Sequence, residues 1–336
     1  MRNILFIGTY LSSKTGTTDI AETVSQKMNN HGFNIILISH FENKILRMTH
    51  IIWCILFYNY EKIFFDVFSD KAFQITRIGS YFARLRNKKI IYNLRGGRLA
   101  NFSNSNLKLV KKVFSRANHI QSPSNYLISY FKKMGFKVNY LPNPIKLEYF
   151  VYDRKNVEPY SILWVRAFSQ IYNPEIAIKI VEELKKDYPE VSMTMIGPDK
   201  GMLKKIKQQI LNLNLSNNIK ILGPISNKKL SYYYQRHNVF VNTTSYESFG
   251  TALIEAASCG IPIVSTNVGE IPLNWTNEKD ILLVENFSEI EFRHKISMIF
   301  DKPDFSKIIS KNARKNINKY DWNLLESEWL KILNEE

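Results

Sequence analysis

The sequence is poor in several features, and each shortage narrows what the chain can be. It has two cysteines, Cys54 and Cys259, far apart and each in an apolar neighbourhood. That is too few for a disulfide framework and fits reduced core thiols in a cytosolic protein. No apolar run approaches the ~20 residues needed to cross a bilayer. The most apolar stretch, Ile51 to Tyr58, is far shorter. Met1-Arg2-Asn3 leads through a short apolar segment into polar Ser12-Ser13-Lys14, without the apolar core of a cleavable signal. A soluble or peripheral protein is expected. The Gly8 to Gly16 segment does not fit G-x-G-x-x-G, which argues against a dehydrogenase. Acidic residues are scarce in the first half only. Residues 1–150 carry 22 Lys+Arg against 7 Asp+Glu, a net of +15, and residues 151–336 carry 24 against 23, a net of +1. The excess is either a solvated basic surface or the footprint of an anionic partner.

The 336 residues suit two domains, and 45% hydrophobic with 23% charged residues is the balance of a folded chain. Strand and helix signals alternate. Ile4 to Ile7 is a buried-type strand, followed by a helix from about Thr18 to Asn29 and a strand from Phe33 to Ser39. Ile90 to Leu94 reads as a strand, Leu107 to Phe114 as a helix, and Ser124 to Met134 as another. The alternation restarts after Pro159, ending in strand Val239 to Asn242, helix Ser248 to Ser258 and strand Pro262 to Ser265. Such β-α alternation predicts doubly wound parallel sheets. Leu141-Pro-Asn-Pro-Ile145 breaks any regular element and marks a linker. Two Rossmann-like domains are therefore expected, 1–150 and 151–319, with a last amphipathic helix over about 320–336 that carries Trp322, Leu325, Trp329 and Leu333. A cleft between them would take ligands beyond the carboxyl ends of the strands.

The strongest local signal follows strand Val239 to Asn242. Glu247-Ser-Phe-Gly-Thr-Ala-Leu-Ile-Glu255 reads as a helix start with Gly250 and Thr251 in the first turn. Free backbone N–H groups and the positive dipole end make such a start a phosphate site. Glu247 and Glu255 would stand roughly 12 Å apart along a helix at ~1.5 Å per residue. A hydrolytic carboxylate pair needs ~5–9.5 Å. The wider spacing suits a long ligand held at both ends, with a diphosphate between. A carboxylate at a helix N-terminus plus an ordinary surface Glu gives the same pair, so the context decides. It continues through Cys259-Gly260-Ile261-Pro262 and Asn267-Val-Gly-Glu-Ile-Pro272.

With these residues in view, the sequence resembles the family 4 retaining glycosyltransferases of the GT-B fold, whose donor domain carries Glu-Gly-Phe-Gly, a second Glu, a Cys-Gly-x-Pro strand and a Gly-Gly-x-Pro turn. Ser248 replaces the first Gly of that pattern and Glu270 a later one. The resemblance implies that Leu163-Trp-Val-Arg166 supplies an Arg for the donor diphosphate, a task bidentate guanidinium suits. It implies that Gly197, Pro198 and Gly223 line the base pocket, that Gly16 faces the donor, that Ser248 belongs to the donor-binding residues, and that Phe249, Gly250 and Thr251 meet the diphosphate through their backbone. Glu247 would hold sugar hydroxyls and Glu255 the ribose. Two positions depart from the family. A Lys that usually follows the Arg is missing from Ser169-Gln-Ile-Tyr-Asn-Pro174, leaving Arg166 alone or helped by Asn173 or Lys200. A His found after the strand ending at Leu94 is replaced by Arg95, which can hydrogen-bond a sugar oxygen or an acceptor phosphate but cannot act as a base.

The resemblance thus implies transfer of a sugar from a nucleotide-diphosphate sugar to a glycan or lipid-linked acceptor, for cell-surface polysaccharide, by positioning and electrostatics. No Asp-x-Asp triplet occurs, so the metal-dependent GT-A alternative loses its marker and no essential metal or other cofactor is expected. The first domain would bind the acceptor. Ile75 to Arg86, with Ile78, Phe82 and Leu85 on one face and Arg77, Arg84 and Arg86 around it, reads either as a helix docking on an anionic membrane or as a core helix with solvated charges. A cytoplasmic protein, peripheral on the membrane, is expected. A nucleotide-sugar epimerase of the same build is the rival enzyme. A basic nucleic-acid-binding protein is the rival of another class, and it leaves the Glu247 to Glu255 segment unexplained.

Overall fold

A computed structural model describes residues 2–8, 10, 20–39, 41–145 and 147–335. Gly16 and the start of the helix expected from about Thr18 lie outside these residues. The chain divides into two compact units. One runs to Pro144 and takes in Trp322–Glu336, and the other is Ile145–Asp321. The division falls inside the two-proline segment.

The first unit holds a six-stranded parallel sheet ordered β2-β1-β3-β4-β5-β6, with β1 Arg2–Ile7, β2 Phe33–Ile38, β3 Lys62–Val67, β4 Lys89–Leu94, β5 His119–Ser122 and β6 Asn139–Tyr140. Strands β1 to β4 are largely apolar, as strands covered on both faces must be. The helices Lys44–Phe57 and Leu99–Ser105 and the strands β3 and β6 have no counterpart in the periodicity reading. The helix expected at Ile75–Arg86 is present as Phe73–Leu85, but its core face is Phe73, Thr76, Gly79, Ser80 and Ala83. The row Ile78, Phe82 and Leu85 is half-buried to exposed. Small residues face the core because the helix lies close against its neighbours: a Cβ on Gly79 would meet the Phe65 ring at 2.6 Å.

The last helix, Trp322–Asn334, packs on this first sheet. Trp322, Leu325, Trp329 and Leu333 are all buried, in a cluster with Ile4, Phe6 and Phe64. Its carboxyl end is capped by a buried cation from β3. The Lys62 Nζ donates to Leu333 O at 2.8 Å, to Ile332 O at 3.4 Å and to Glu335 O. A cation at the negative end of a helix satisfies carbonyls that have no helical partner.

The second unit repeats the design with order β12-β11-β10-β7-β8-β9, comprising β7 Ser161–Val165, β8 Ser192–Ile196, β9 Ile219–Leu222, β10 Val239–Asn242, β11 Ile263–Thr266 and β12 Leu282–Val284. All its pairings are parallel. The order reverses between β7 and β10: the chain leaves β7 toward β8 on one side and β10 toward β11 on the other. Doubly wound sheets take ligands at such a switch point, beyond the carboxyl ends of the strands. In the first unit the switch lies between β1 and β3 by the same rule.

Both cysteines are free and buried. Among the described residues, no helix is long and apolar enough to cross a membrane.

Candidate functional site

The sequence-predicted residues of the second unit gather along the carboxyl ends of β7 to β11. Arg166 directly follows β7, at the switch point. Its backbone N–H donates to Ile196 O at 3.0 Å, which continues the β8 pairing one residue past the strand. The side chain, 11% exposed, is fixed on three sides. Nη2 lies 2.7 Å from Glu247 Oε2, Nε donates to Asn242 Oδ1 at 3.0 Å, and the guanidinium stands 5.2 Å from the centre of the Tyr172 ring. The Asn242 amide is itself oriented, since its Nδ2 donates to Ser265 Oγ at 2.8 Å. Strand β10 thereby holds the cation that ends β7, a pre-set arrangement rather than a swinging side chain.

Glu247 differs from expectation in one respect. The helix begins at Thr251, not at Ser248, so Glu247 and Ser248 lie in the loop before it. The helical spacing assumed for Glu247 and Glu255 therefore does not apply. Gly250 forms the N-cap with φ +89°, a left-handed backbone that disfavours any side chain and ends the helix where it does. Glu247 folds back instead. Its Oε1 accepts from the backbone N–H of Ser248 at 3.1 Å and of Phe249 at 3.3 Å, while Oε2 holds Arg166. The Phe249 amide, expected at a diphosphate, is thus occupied by Glu247, and the Phe249 ring is a core group packed 5.1 Å from Tyr320. The loop is pinned from behind as well. Glu270 N–H donates to Glu247 O at 3.0 Å, and a Cβ on Gly269 would sit 2.2 Å from that oxygen.

Glu255 lies in the second turn of the Thr251–Cys259 helix and is 7% exposed. Tyr234, fully buried on the Asn227–Arg236 helix, donates its hydroxyl to Glu255 Oε2 at 3.2 Å. Burial pushes the Glu255 carboxyl up to about 7, against the smaller downward pulls of the Tyr234 hydrogen bond and the Arg166 charge. Nothing in the local sequence announces the Tyr234 contact, which joins residues 21 apart.

Gly197 and Pro198 follow β8, and Gly223 follows β9. The Gly197 N–H donates to Gly223 O at 3.3 Å, and Pro198 O accepts from Phe168 N–H at 2.9 Å. Gly197 is required there: its φ is +155°, and a Cβ would lie 1.9 Å from Arg166 O. Asn173, one candidate for the missing Lys, has φ +44° at the N-cap of the Pro174–Leu184 helix. Its Nδ2 donates to Thr243 O at 2.9 Å and to Ser245 Oγ at 2.7 Å. It ties two strand-end loops together, so its amide donors are already engaged. Lys200, the other candidate, is exposed.

In the first unit, Arg95 follows β4 as expected, but with a partner the sequence reading did not supply. Its Nε lies 2.6 Å from Asp66 Oδ1, and both side chains are under a tenth exposed. Asp66, Asn93 and Gln121 stand in register across β3, β4 and β5. Gln121 donates to Asn93 Oδ1, and Asn93 Nδ2 donates to Asp66 Oδ1 at 3.2 Å. A buried amide chain thus holds the carboxylate that orients Arg95. Among the described residues, no group of three His, Cys, Asp or Glu side chains is arranged to hold a metal.

Comparison with known proteins bears on the family and the fold. The family described as "Glycosyl transferases group 1" matches residues 147–316. One subunit of the human phosphatidylinositol N-acetylglucosaminyltransferase is 33% identical over 95 residues, which is 28% of this chain and 19% of that protein. The D-inositol 3-phosphate glycosyltransferase of Corynebacterium jeikeium is 22% identical over 165 residues, 47% of this chain and 39% of that one. The chain therefore spans well under half the length of these curated relatives. Sucrose-phosphate synthase from Thermosynechococcus elongatus superposes with a TM-score of 0.82 at 14% identity, covering 99% of this chain and 98% of its own. Anabaena HepE, solved in complex with UDP-glucose, superposes with a TM-score of 0.78 at 17% identity, covering 99% of each chain. Two doubly wound parallel sheets in this order are the GT-B fold, and the chain belongs to the group 1 glycosyl transferases.

Proposed function

We propose that the chain is a retaining family 4 glycosyltransferase, which moves a sugar from a nucleotide-diphosphate sugar to a glycan or lipid-linked acceptor. The observation that carries the proposal is Arg166: a buried guanidinium at the switch point, pre-oriented by Asn242 and Glu247. Such a group stabilises a departing diphosphate without reorganising at the moment of reaction. In this reading the amides of Gly250 and Thr251 share the diphosphate with Arg166, and Gly197, Pro198 and Gly223 border the base. Glu255 accepts the ribose hydroxyls. Glu247 meets the donor-sugar hydroxyls while still holding Arg166. Arg95, oriented by Asp66, holds the reacting sugar's oxygen or an acceptor phosphate.

Retention is supported by what the side chains are engaged in. Glu247 is bound to a cation and to two amides, and Arg95 cannot accept a proton, so neither offers a free general base. The leaving phosphate takes the acceptor proton in this reading, and Arg166 supplies the positive charge without an essential metal. The likeness to a protein solved with UDP-glucose, and to relatives named for phosphorylated inositol acceptors, supports a nucleotide-sugar donor and a phosphate-bearing acceptor. The basic first unit supports work at an anionic, cytoplasm-facing membrane surface in cell-surface polysaccharide synthesis, with no role for nucleic acid. A thermal-shift panel of UDP-, GDP- and ADP-sugars tests the donor assignment. At least one should stabilise the wild type and none should stabilise Glu255→Ala; no shift with any of them rejects the assignment. Conversion of the nucleotide sugar without acceptor present would favour an epimerase instead.

A further inference from the structure

The Lys44–Phe57 helix carries an apolar face that no other part of the described chain accounts for. Its core side is Ile51, Cys54 and Ile55. The opposite side is not polar, as a solvated helix requires. At 3.6 residues per turn, positions 45, 46, 49, 52, 53, 56 and 57 fall on one arc of roughly 140°. Apart from Thr49 they are Ile, Leu, Trp and Phe. Ile45 is 75% exposed, Phe57 70% and Trp53 51%. The Trp53 ring lies 5.9 Å from Phe57 and 5.5 Å from Tyr58, which makes an aromatic cluster at one end of the stripe.

The charges on the two helices that carry and adjoin the stripe have one sign, while exposed Glu42, Glu61 and Asp70 lie in the segments that flank them. Neither this helix nor the adjacent Phe73–Leu85 helix contains an acidic residue. Residues 44–60 and 71–89 together hold Lys44, Arg47, Lys71, Arg77, Arg84, Arg86, Lys88 and Lys89, with no Asp or Glu among them. Lys44, Lys71, Arg77 and Arg84 are exposed. Arg86 has a second task, donating to Ile55 O and Tyr58 O at 2.8 Å each, which closes the carboxyl end of the helix. Beside the helix, beyond β1 and β3, lies a cavity of about 290 Å³. Lys44, Arg47 and Lys71 supply its cations and Met48, Phe68 and Ile75 its apolar wall. Asp66 also reaches the cavity, with its charge already met by Arg95.

We infer that the Lys44–Phe57 helix docks this unit on an anionic lipid bilayer, lying in the interface plane, and that the neighbouring cavity takes the phosphorylated headgroup of a lipid. A helix of this kind buries Trp, Phe and Leu at the headgroup boundary while basic residues meet the anionic lipids. The stripe is on the Lys44–Phe57 helix, not on the Ile75–Arg86 segment that sequence periodicity points to, and the latter contributes cations. The headgroup's role as acceptor rests on the proposed transferase activity; the docking does not.

Cosedimentation of the full chain with vesicles of phosphatidylglycerol and phosphatidylcholine in equal parts tests the docking. The wild type should pellet with these at low salt and not with phosphatidylcholine alone. Trp53→Ser with Phe57→Ser should weaken partitioning by about tenfold per ring. Lys44→Glu with Lys71→Glu should weaken it by about fivefold per unit of charge. Both pairs are exposed, so thermal unfolding should be unchanged, and so should any nucleotide-sugar shift. For the cavity, monomeric decyl phosphate should raise the melting temperature, inorganic phosphate should not, and Lys71→Glu should cancel the effect. Wild type that stays in the supernatant overturns the docking. So does equal pelleting of the Trp53→Ser, Phe57→Ser variant, or a lipid-free dimer that the same variant dissociates. Stabilisation by inorganic phosphate as strong as by decyl phosphate overturns the lipid assignment of the cavity. Vesicle binding with no nucleotide-sugar shift would leave the docking standing and remove the donor reading instead.

Discussion

Replacing Glu255 by Gln separates the structural cost of this carboxyl from its proposed role. Burial raises it from its ordinary 4.5 to about 7, with Tyr234 and Arg166 opposing more weakly. In the unfolded chain it ionises near its ordinary value. The folded value is the higher one, so folding favours the protonated form. The stability this gives is fully present below about pH 4.5 and is lost as the pH rises through 7. At about 1.4 kcal/mol per pH unit, the loss at pH 8 amounts to about 3 kcal/mol. Gln carries no charge to desolvate and recovers this, less about 1 kcal/mol for amide donors placed where a carboxyl oxygen accepts from Tyr234. Ligand-free Glu255→Gln should therefore be about 2 kcal/mol more stable than the wild type at pH 8, a rise in Tm of about 4–8 °C for a unit of this size. At pH 5 the advantage should shrink toward zero. Thermal unfolding at the two pH values reads this directly. A variant less stable than the wild type by the same margin at both would show that the carboxylate is stabilised by its neighbours rather than desolvated. The gain should come with loss of nucleotide-sugar binding, a trade between stability and function common at binding sites.

Three other perturbations follow from the same geometry. Arg166→Ala leaves Glu247 buried without its cation and should destabilise the protein by about 3–5 kcal/mol in chemical denaturation, whereas Arg166→Lys, which keeps the charge, should cost much less. Gly269→Ala would place a Cβ 2.2 Å from Glu247 O at φ +58°; by displacing the Glu247 loop it should weaken nucleotide-sugar binding in calorimetry, while vesicle binding stays as in the wild type. Lys62→Met removes the donor to the carbonyls that end the last helix, and should cost about 2–4 kcal/mol and make the chain after Trp322 the first target in limited proteolysis.

The parts of the site that the sequence disclosed are those whose chemistry is local. Gly250 before a helix can be read from its immediate neighbours, whereas Arg166 after a strand and Gly197 at the next strand end are singled out by the resemblance to the family. Contacts between distant residues could not be read. Tyr234 reaches Glu255 and Asn173 joins the loops after β7 and β10 through hydrogen bonds, and Asp66 holds Arg95 through an ion pair, none of which any spacing encodes. The start of the Thr251–Cys259 helix was misplaced because Glu247 and Ser248 are compatible with a first turn, and only the left-handed Gly250 excludes them. The Lys44–Phe57 helix is hidden because Ile51 to Phe57 is one unbroken apolar run, in which period alone does not tell helix from strand. Strand β3 was hidden by charged Lys62 and Asp66, whose reasons for being there are the last helix and Arg95.

The central claim is that the strand ends around Arg166 grip a nucleoside diphosphate. Calorimetric titration of UDP, GDP and ADP into the wild type and into Arg166→Lys tests it most directly. At least one should bind the wild type, and the Lys variant, which keeps the charge but loses the forked geometry, should bind it about tenfold to a hundredfold more weakly. Failure of all three to bind the wild type, or equal affinity in the variant, would contradict it.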